Sequence, residues 1–251
     1  MLAPTRASEE YEAQKRLTVA TLAATRRQWA RMGSDWDSSF ATVAPRLTAI
    51  LAAAQLGSAR QGAAYVPEVL DVVAGGIHDP SWTPFLFPWT DAPAEEMPAN
   101  YLRFYASTLT RTVDGDVSLE LVVRRNGQVI GMQGMNGPDV AGTRRLETGS
   151  WLGLPFQGQG LGTRMRRMMC ALAFDGLGLD AVTSSAWEDN AASRRVSEKV
   201  GYRETGRGQA ERRGVPTGEV FFELRPEGFV RGDEPVRITG ADELRRFLGL
   251  G

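Results

Sequence analysis

The chain has 251 residues and a hydrophobic content of 42%, so it can bury a full core in one large domain, with or without an extension. Its formal net charge of −1 gives no general attraction to nucleic acid or to anionic lipid, and neither is expected as a partner. One cysteine and one histidine exclude an internal disulfide and a usual zinc site, and the lack of a membrane span or leader pattern predicts a cytoplasmic location.

The N-terminal part has a helical composition. Residues 8–31 are rich in helix-forming residues and contain neither glycine nor proline, which predicts a long helix. From about Ser38 to Gly57, alanines and spaced apolar residues predict a second, amphipathic helix. Residues 1–65 are therefore assigned to a helical hairpin, an extension that could pack on the domain or form a homo-oligomer. This segment also resembles the N-terminal helices of actinobacteriophage head-associated proteins.

The middle of the chain predicts a short helix and then an antiparallel meander. Residues 66–74 favour a helix, and residues 80–93 are dense in proline and aromatic residues, as in an ordered loop over a pocket. A helix is predicted from about Glu95 to Arg111. Asn126-Gly127 between two alternating apolar runs is typical of a β-hairpin, and a third strand follows through Trp151.

The remaining elements alternate between helix and strand. A helix over residues 160–175 is followed by a strand over residues 181–187 and by a short helix that Asn190 would cap. Two strands, over residues 201–207 and 219–224, would complete the sheet. The predicted fold class is α+β, with a mixed, mostly antiparallel sheet flanked by helices.

A glycine-rich stretch between residues 147 and 163 has the pattern of a strand, a loop and a helix start. Gly158, Gly160 and Gly162 would let an anion approach the backbone amides at the positive end of the helix, which suits a phosphate or pyrophosphate. No Gly-Lys-Ser/Thr follows, and the spacing is not that of a dinucleotide-binding turn. The P-loop and Rossmann readings therefore become minor alternatives.

Two motifs remain in this stretch: Gln157-x-x-Gly160-x-Gly162 and, before it, Glu147-x-Gly149-x-Trp151-Leu152. They resemble the cofactor signature of the GNAT superfamily of N-acetyltransferases. Downstream, the run from Ala186 to Tyr202 resembles the Asn-x-x-Ser helix and closing Gly-Tyr of the RimJ/RimL-like branch. The resemblance extends from about residue 75 to about residue 227, so residues 66–228 are assigned to a GNAT-like domain and residues 229–251 to a C-terminal tail.

The resemblance implies acetyl-CoA as the acyl donor and gives its binding residues. Backbone groups of the strand end would pair with the pantetheine arm, amides of the glycine loop would hold the pyrophosphate, and Asn190 would bond near the thiol. The implied cofactor-binding residues are Trp151, Leu152, Gly153, Gln157, Gly158, Gln159, Gly160, Leu161, Gly162, Thr163 and Asn190. Asn190 could equally be a plain helix cap.

Acyl transfer needs a neutral amine, so a general base must accept a proton. Glu147 is the first candidate, although it could be an exposed strand residue or a salt-bridge partner of Arg144 or Arg145. His78 is the second, although a loop hydrogen bond is the more usual role for a histidine in such a turn. Ser193, one helical turn after Asn190, could supply a proton to the leaving thiolate or simply pack as a small residue.

The arginines and the cysteine of the helix after the glycine loop are interpreted as structural residues. Arg164, Arg166 and Arg167 could meet cofactor phosphates, but a solvated helix face is the favoured interpretation. Cys170 is interpreted as a small core residue rather than a nucleophile.

One expected element is missing from the sequence pattern. Members of the resembled family begin with an alternating β-strand, which is not found between Ala64 and Val73; residues 236–238 are one substitute. The main prediction is an N-acetyltransferase that moves an acetyl group from acetyl-CoA to a primary amine of a peptide N-terminus or small molecule. The alternative is a structural or interaction protein, phage-related, with a vestigial acetyltransferase domain, which the missing strand favours.

Overall fold

The computed structural model describes residues 41–43, 47–51, 59–101, 103–104 and 116–251, with side chains described from Pro67 onward within these ranges. The helix predicted over residues 8–31 lies outside the described residues and stays a prediction. The division of the chain at residues 65 and 228 also stays a prediction.

Nine strands of the described residues form one sheet. They are β1 (Ala41–Val43), β2 (Leu47–Leu51), β3 (Asp116–Arg125), β4 (Gln128–Pro138), β5 (Arg145–Leu152), β6 (Ala181–Trp187), β7 (Arg203–Arg212), β8 (Val215–Leu224) and β9 (Val236–Ile238). Their order across the sheet is β7-β8-β6-β5-β4-β3-β2-β1-β9. Only β5 and β6 pair in parallel among these strands, so the predicted α+β class with a mostly antiparallel sheet is confirmed.

Five α-helices with described bounds flank the sheet: α1 (Ala59–Ala74), α2 (Val140–Thr143), α3 (Leu161–Ala171), α4 (Ala191–Val200) and α5 (Ala241–Phe247). A π-helical turn, Leu172–Gly176, continues α3. Residues 97–101 and 103–104 are also helical, within the helix predicted from about Glu95. None of the helices in the described residues is long and apolar enough to cross a membrane.

The main core lies between the sheet and α3. From Met165 to Ala173 most positions of this helical segment are buried, with Met168 and Cys170 fully so. The C-terminal residues also belong to this core, because Leu244 and Leu250 are buried in it. A second, smaller cluster on the opposite face of the sheet contains Val69 of α1. One face of β5 therefore packs on α3 and the main core, and the other face lies on the side of α1 and the smaller cluster.

The predicted second helix, over residues 38–57, is wrong where the structure describes this segment. Ala41–Val43 and Leu47–Leu51 are strands, and β2 pairs with β3 from Leu47 opposite Arg125 to Leu51 opposite Leu121. Leu47, Ala49 and Leu51 fit a two-residue period as well as a helical one, and pairing with β3 satisfies the backbone groups. The first strand that is not found between Ala64 and Val73 is supplied from earlier in the chain, since β2 lies beside β3. The predicted substitute, residues 236–238, forms β9 instead, at the outer edge beside β1.

Candidate active site

A cleft opens where β5 and β6 stop pairing. Their register includes only three pairs, from Arg145 opposite Ala181 to Glu147 opposite Thr183. Just beyond the last pair, Thr148 Oγ1 donates to the carbonyl oxygen of Thr183 at 2.9 Å. From there β4 holds β5 and β8 holds β6, so the two central strands are drawn to separate neighbours. The point of separation is called the apex of the cleft below.

The glycine loop and the N-terminus of α3 follow the end of β5. Gly158 and Gly160 have left-handed backbones, with φ of 71° and 77°, and a Cβ on either would meet no atom within 4 Å. The first helical bond runs from Arg164 N to Gly160 O, so the amides before it have no partner within the helix. This open space over unused amides at the positive end of a helix fits a diphosphate group.

The glutamine side chains of the loop fix its shape. Gln157 Nε2 donates to the carbonyl oxygens of Ile77, at 2.6 Å, and Leu152, at 2.8 Å. Gln159 Oε1 accepts from Arg125 at 2.9 Å, and its Nε2 donates to Pro155 O at 2.7 Å. Both side chains are therefore bonded within the protein, and these bonds hold the backbone of the loop in place.

The end of β5 forms the wall between the glycine loop and the sheet. Gly153 N donates to Ile130 O at 3.0 Å, and a Cβ at Gly153 would lie 2.7 Å from Val72 Cγ1, so a larger residue there would have to displace the Val72 side chain. Leu152 and Leu161 are buried, whereas Trp151 is half-buried with its ring centroid 6.0 Å from that of Trp89. The half-buried Gly162 and Thr163 lie in the first turn of α3.

Glu147 lies near the apex, on the face of the sheet opposite α3. The β4–β5 register has no bulge, so Glu147, Gly149 and Trp151 share that face. The carboxylate is exposed, and Ser185 Oγ donates to it at 3.4 Å. The proposed salt-bridge partners are engaged elsewhere, since Arg144 donates to Gly178 O and Arg145 pairs with Glu223. The salt-bridge interpretation is therefore wrong for both arginines.

Asn190 and Ser193 lie just beyond the end of β6. Asn190 Oδ1 accepts from the backbone N of Ser193 at 3.1 Å, so Asn190 is the N-cap of α4. The cap leaves the amide nitrogen of Asn190 for any bond to a cofactor. Asn190 is buried and Ser193 half-buried, and their cofactor and proton-donor roles stay predictions.

Comparison with known proteins identifies the family. Residues 66–203, more than half of the chain, match the family described as Acetyltransferase (GNAT) domain. The chain belongs to the GNAT acetyltransferase family. Bacillus subtilis (strain 168) YdaF, named as a candidate ribosomal N-acetyltransferase, is 33% identical over 82 residues, covering 33% of this chain and 44% of YdaF. The chain thus matches less than half of that curated relative's length.

Solved GNAT structures share the fold. RimL, a ribosomal L7/L12 alpha-N-protein acetyltransferase in complex with coenzyme A, has a TM-score of 0.59 and 15% identity, with 78% of this chain and 100% of that chain covered. Mycobacterium smegmatis RimJ in complex with CoA-disulfide has a TM-score of 0.57 and 18% identity, covering 76% and 87%. The predicted GNAT family is confirmed. The likeness of the N-terminal residues to phage proteins finds no support.

The proline and aromatic loop of the GNAT domain covers the face that carries Glu147. Trp187 Nε1 donates to Phe85 O at 3.3 Å, and Trp82 Nε1 donates to Asp189 at 3.2 Å. At the tip of the β7–β8 hairpin, Arg213 makes a bidentate pair with Asp91 at 2.6 and 2.7 Å. The bonds from Arg213 hold the pKa of Asp91 below its usual value. The hairpin thereby fastens the loop.

His78 lies just before this loop, and both of its ring nitrogens are bonded. Nδ1 lies 2.8 Å from Asp79 O and Nε2 lies 2.7 Å from Thr90 Oγ1. These bonds argue against His78 as the general base, because both of its ring nitrogens already have hydrogen-bond partners in the protein. A cavity of about 400 Å³ beside it is lined by His78, Asp91 and Arg213 among others.

The three arginines of α3 differ from one another. Arg164 pairs with Glu234 at 2.5 Å and Arg167 donates to Val230 O at 3.1 Å, both toward the C-terminal residues. Arg166 is only 4% exposed, so its interpretation as part of a solvated face is wrong. The burial of Arg166 depends on β5, β6 and Tyr202, which are distant from it in sequence, so no local pattern in the helix predicted it.

Two further predictions concern Cys170 and metal binding. Cys170 is fully buried, and burial raises the pKa of its thiol to about 11, so its interpretation as a core residue is confirmed. In the part of the chain that the structure describes, no group of three or more histidine, cysteine, aspartate or glutamate side chains is arranged to hold a metal ion.

Proposed function

We propose that this chain is an acetyl-CoA-dependent N-acetyltransferase that transfers the acetyl group directly to a primary amine. The observation that carries the proposal is the cleft between β5 and β6, with unused helix-terminal amides at its mouth and an exposed carboxylate, Glu147, at its apex. Family membership supplies the reaction class, and the geometry supplies a place for each partner.

The donor's diphosphate would lie on the amides from Gly158 to Thr163, where the glycine backbones leave open space. The cofactor's amide arm would then pass along the free edge of β5 from Gly153 toward the apex. Backbone groups on that edge face the cleft because β6 does not pair with them. Asn190, at the opposite wall, would donate through its side-chain amide nitrogen.

The acceptor would approach from the face opposite α3. Gly134 and Gly149 are cross-strand partners there, and a Cβ at Gly149 would meet nothing within 4 Å. The bare backbone between Glu147 and Trp151 suits a slender group such as a peptide N-terminus or a small primary amine. RimL is named as an alpha-N-protein acetyltransferase, which supports the peptide N-terminus as the first acceptor class to test.

The chemistry requires two proton movements. The amine nitrogen attacks the thioester carbonyl carbon, the C–N bond forms, the C–S bond breaks, and the electron pair stays on sulfur. Glu147 accepts the proton that the amine loses, directly or through one water, because its carboxylate is exposed on the acceptor face. Ser193, whose backbone N donates to the Asn190 side chain, would return a proton to the thiolate.

A Glu147→Gln variant tests the proposal. It should bind coenzyme A with wild-type affinity but lower kcat/KM by about 10²- to 10⁴-fold, because general-base catalysis is removed while the cleft is kept. Glu227→Gln is the control, since Glu227 is also exposed but lies in the turn after β8. A Glu147→Gln enzyme with full activity on an amine would remove Glu147 from the mechanism.

The alternative of an interaction protein with a vestigial domain loses its support. Its sequence argument was the missing first strand, and β2 lies at that position beside β3.

A further inference from the structure

Arg166 lies beneath the apex of the cleft and joins its two walls. Its Nη1 is 3.5 Å from Thr148 Oγ1 and 3.3 Å from Ser184 Oγ, and its Nη2 is 3.2 Å from Ser150 Oγ. Thr148 and Ser150 belong to β5 and Ser184 to β6. One guanidinium therefore bridges the two strands just where they separate.

The charge of Arg166 has no anion beside it. Its bonded partners are hydroxyl oxygens, and its guanidinium carbon lies 5.6 Å from the centroid of the Tyr202 ring. Within the described residues it takes part in no ion pair. Burying an unpaired cation is costly, and arginine does not deprotonate in proteins. The fold thus keeps a positive charge under the cleft, where an anion would offset the cost.

Gln133, beside Ser150 on the neighbouring strand β4, is a second buried polar side chain under the cleft. It is the cross-strand partner of Ser150 and only 2% exposed. Neither its Nε2 nor its Oε1 has a hydrogen-bond partner among the described residues. Buried side-chain amides are normally hydrogen-bonded. The region beneath the cleft therefore contains hydrogen-bond donors and acceptors that the described residues do not satisfy.

We propose that Arg166 positions the Ser150 and Ser184 hydroxyls toward the cleft and stabilises the sulfur anion of coenzyme A. This inference rests on the proposed function, which brings the thioester end of the donor to the apex. Each hydroxyl accepts a hydrogen bond from the guanidinium, so its own hydrogen is left to donate elsewhere. When the C–S bond breaks, the electron pair on sulfur develops its negative charge above these hydroxyls and the buried cation. Arg166 itself transfers no proton.

The measurable consequence is that the protein lowers the pKa of the coenzyme A thiol. A cysteine thiol has a pKa of about 8.5, and the alkyl thiol of coenzyme A is a weaker acid, so the affinity for coenzyme A should rise with alkaline pH as the bound thiol ionises first. Desulfo-coenzyme A lacks the thiol and reports every other pH effect on binding. A pKa that falls by one unit on binding makes the ratio of the two affinities rise by up to about tenfold between about pH 6 and about pH 10.5.

Calorimetric titration of the full chain with both nucleotides across this pH range tests the inference. The wild type should show the rise in affinity ratio, Arg166→Met should lose it, and Arg166→Lys should keep part of it. Arg167→Met is the matched control, because Arg167 is the next residue of α3 and bonds to Val230 O instead.

The outcomes separate this inference from the proposed function. A wild-type affinity ratio that is flat with pH, or a full rise in Arg166→Met, would overturn the role of Arg166 while leaving cofactor binding intact. A wild type that binds neither nucleotide would overturn the proposed function and this inference with it. If Arg166→Met does not fold, the wild-type profile and Arg166→Lys still decide the question.

Discussion

Replacing Gly160 with alanine tests whether the glycine loop binds a phosphorylated cofactor. Gly160 has φ of 77°, and its added Cβ would meet no protein atom within 4 Å, so the protein itself suffers only backbone strain. Placing a non-glycine residue in this conformation costs about 1 kcal/mol, which lowers Tm by about 2–4 °C for a chain of this size. The methyl group would occupy the space where an anion approaches the amides. Losing one charge-assisted bond costs a further 1.5–3 kcal/mol or so, which weakens coenzyme A binding by about 10- to 100-fold.

The control for this prediction is Gly249→Ala. Gly249 has φ of 68°, and its Cβ would make only an ordinary contact, 3.8 Å from Ala141 Cβ. The Gly249→Ala variant therefore carries the same backbone strain as Gly160→Ala. Gly249 lies near α2, which ends before β5 begins, whereas the glycine loop lies after the end of β5. Thermal unfolding and calorimetric binding of coenzyme A should show similar losses of Tm in both variants and a loss of affinity only in Gly160→Ala. Equal affinities in the two variants would refute the assignment of these amides to the cofactor.

Three further predictions follow from described contacts. Cys170 should resist iodoacetamide in the native protein at about pH 8 and react after unfolding, since its thiol pKa is about 11; rapid native labelling would contradict its burial. Gln157→Ala should lower the free energy of unfolding by about 1–3 kcal/mol, because two carbonyl oxygens lose their donor; an unchanged denaturation midpoint would show that these bonds contribute nothing. Arg213→Ala should destabilise the protein at about pH 7 and progressively less as the pH falls below 3.8. The pKa of Asp91 is lower in the folded protein than its ordinary value of 3.8, so the stabilisation from the pair is fully present above 3.8 and is lost as the pH falls through the folded pKa. A Tm difference that does not shrink on acidification would argue against the pair.

Local signals in the sequence predicted the cofactor side of the site. The Asn126-Gly127 turn, the glycine loop and the Asn190 cap each depend on a few neighbouring residues, and all three have the predicted local structure. Backbone conformation at a glycine or a cap is decided within about one turn of the chain, so it can be read from sequence.

Features set by distant contacts were missed. The strand Leu47–Leu51 pairs with residues 121–125, seventy or more positions away, and its composition alone fits a helix equally well. The burial of Arg166 depends on β5, β6 and Tyr202 arriving on the same side of α3, which no local pattern specifies. The C-terminal residues were expected to be a tail, yet Leu244 and Leu250 complete the core around that helix.

The most direct test of the account is acetyl transfer itself. Purified protein would be incubated with acetyl-CoA and a panel of peptides with free N-termini, polyamines and aminoglycosides, with thiol release and product mass followed together. The account predicts acetylation of at least one primary amine with equimolar release of coenzyme A, and loss of both in Glu147→Gln. Tight binding of acetyl-CoA without acetylation of any amine across the panel would contradict it.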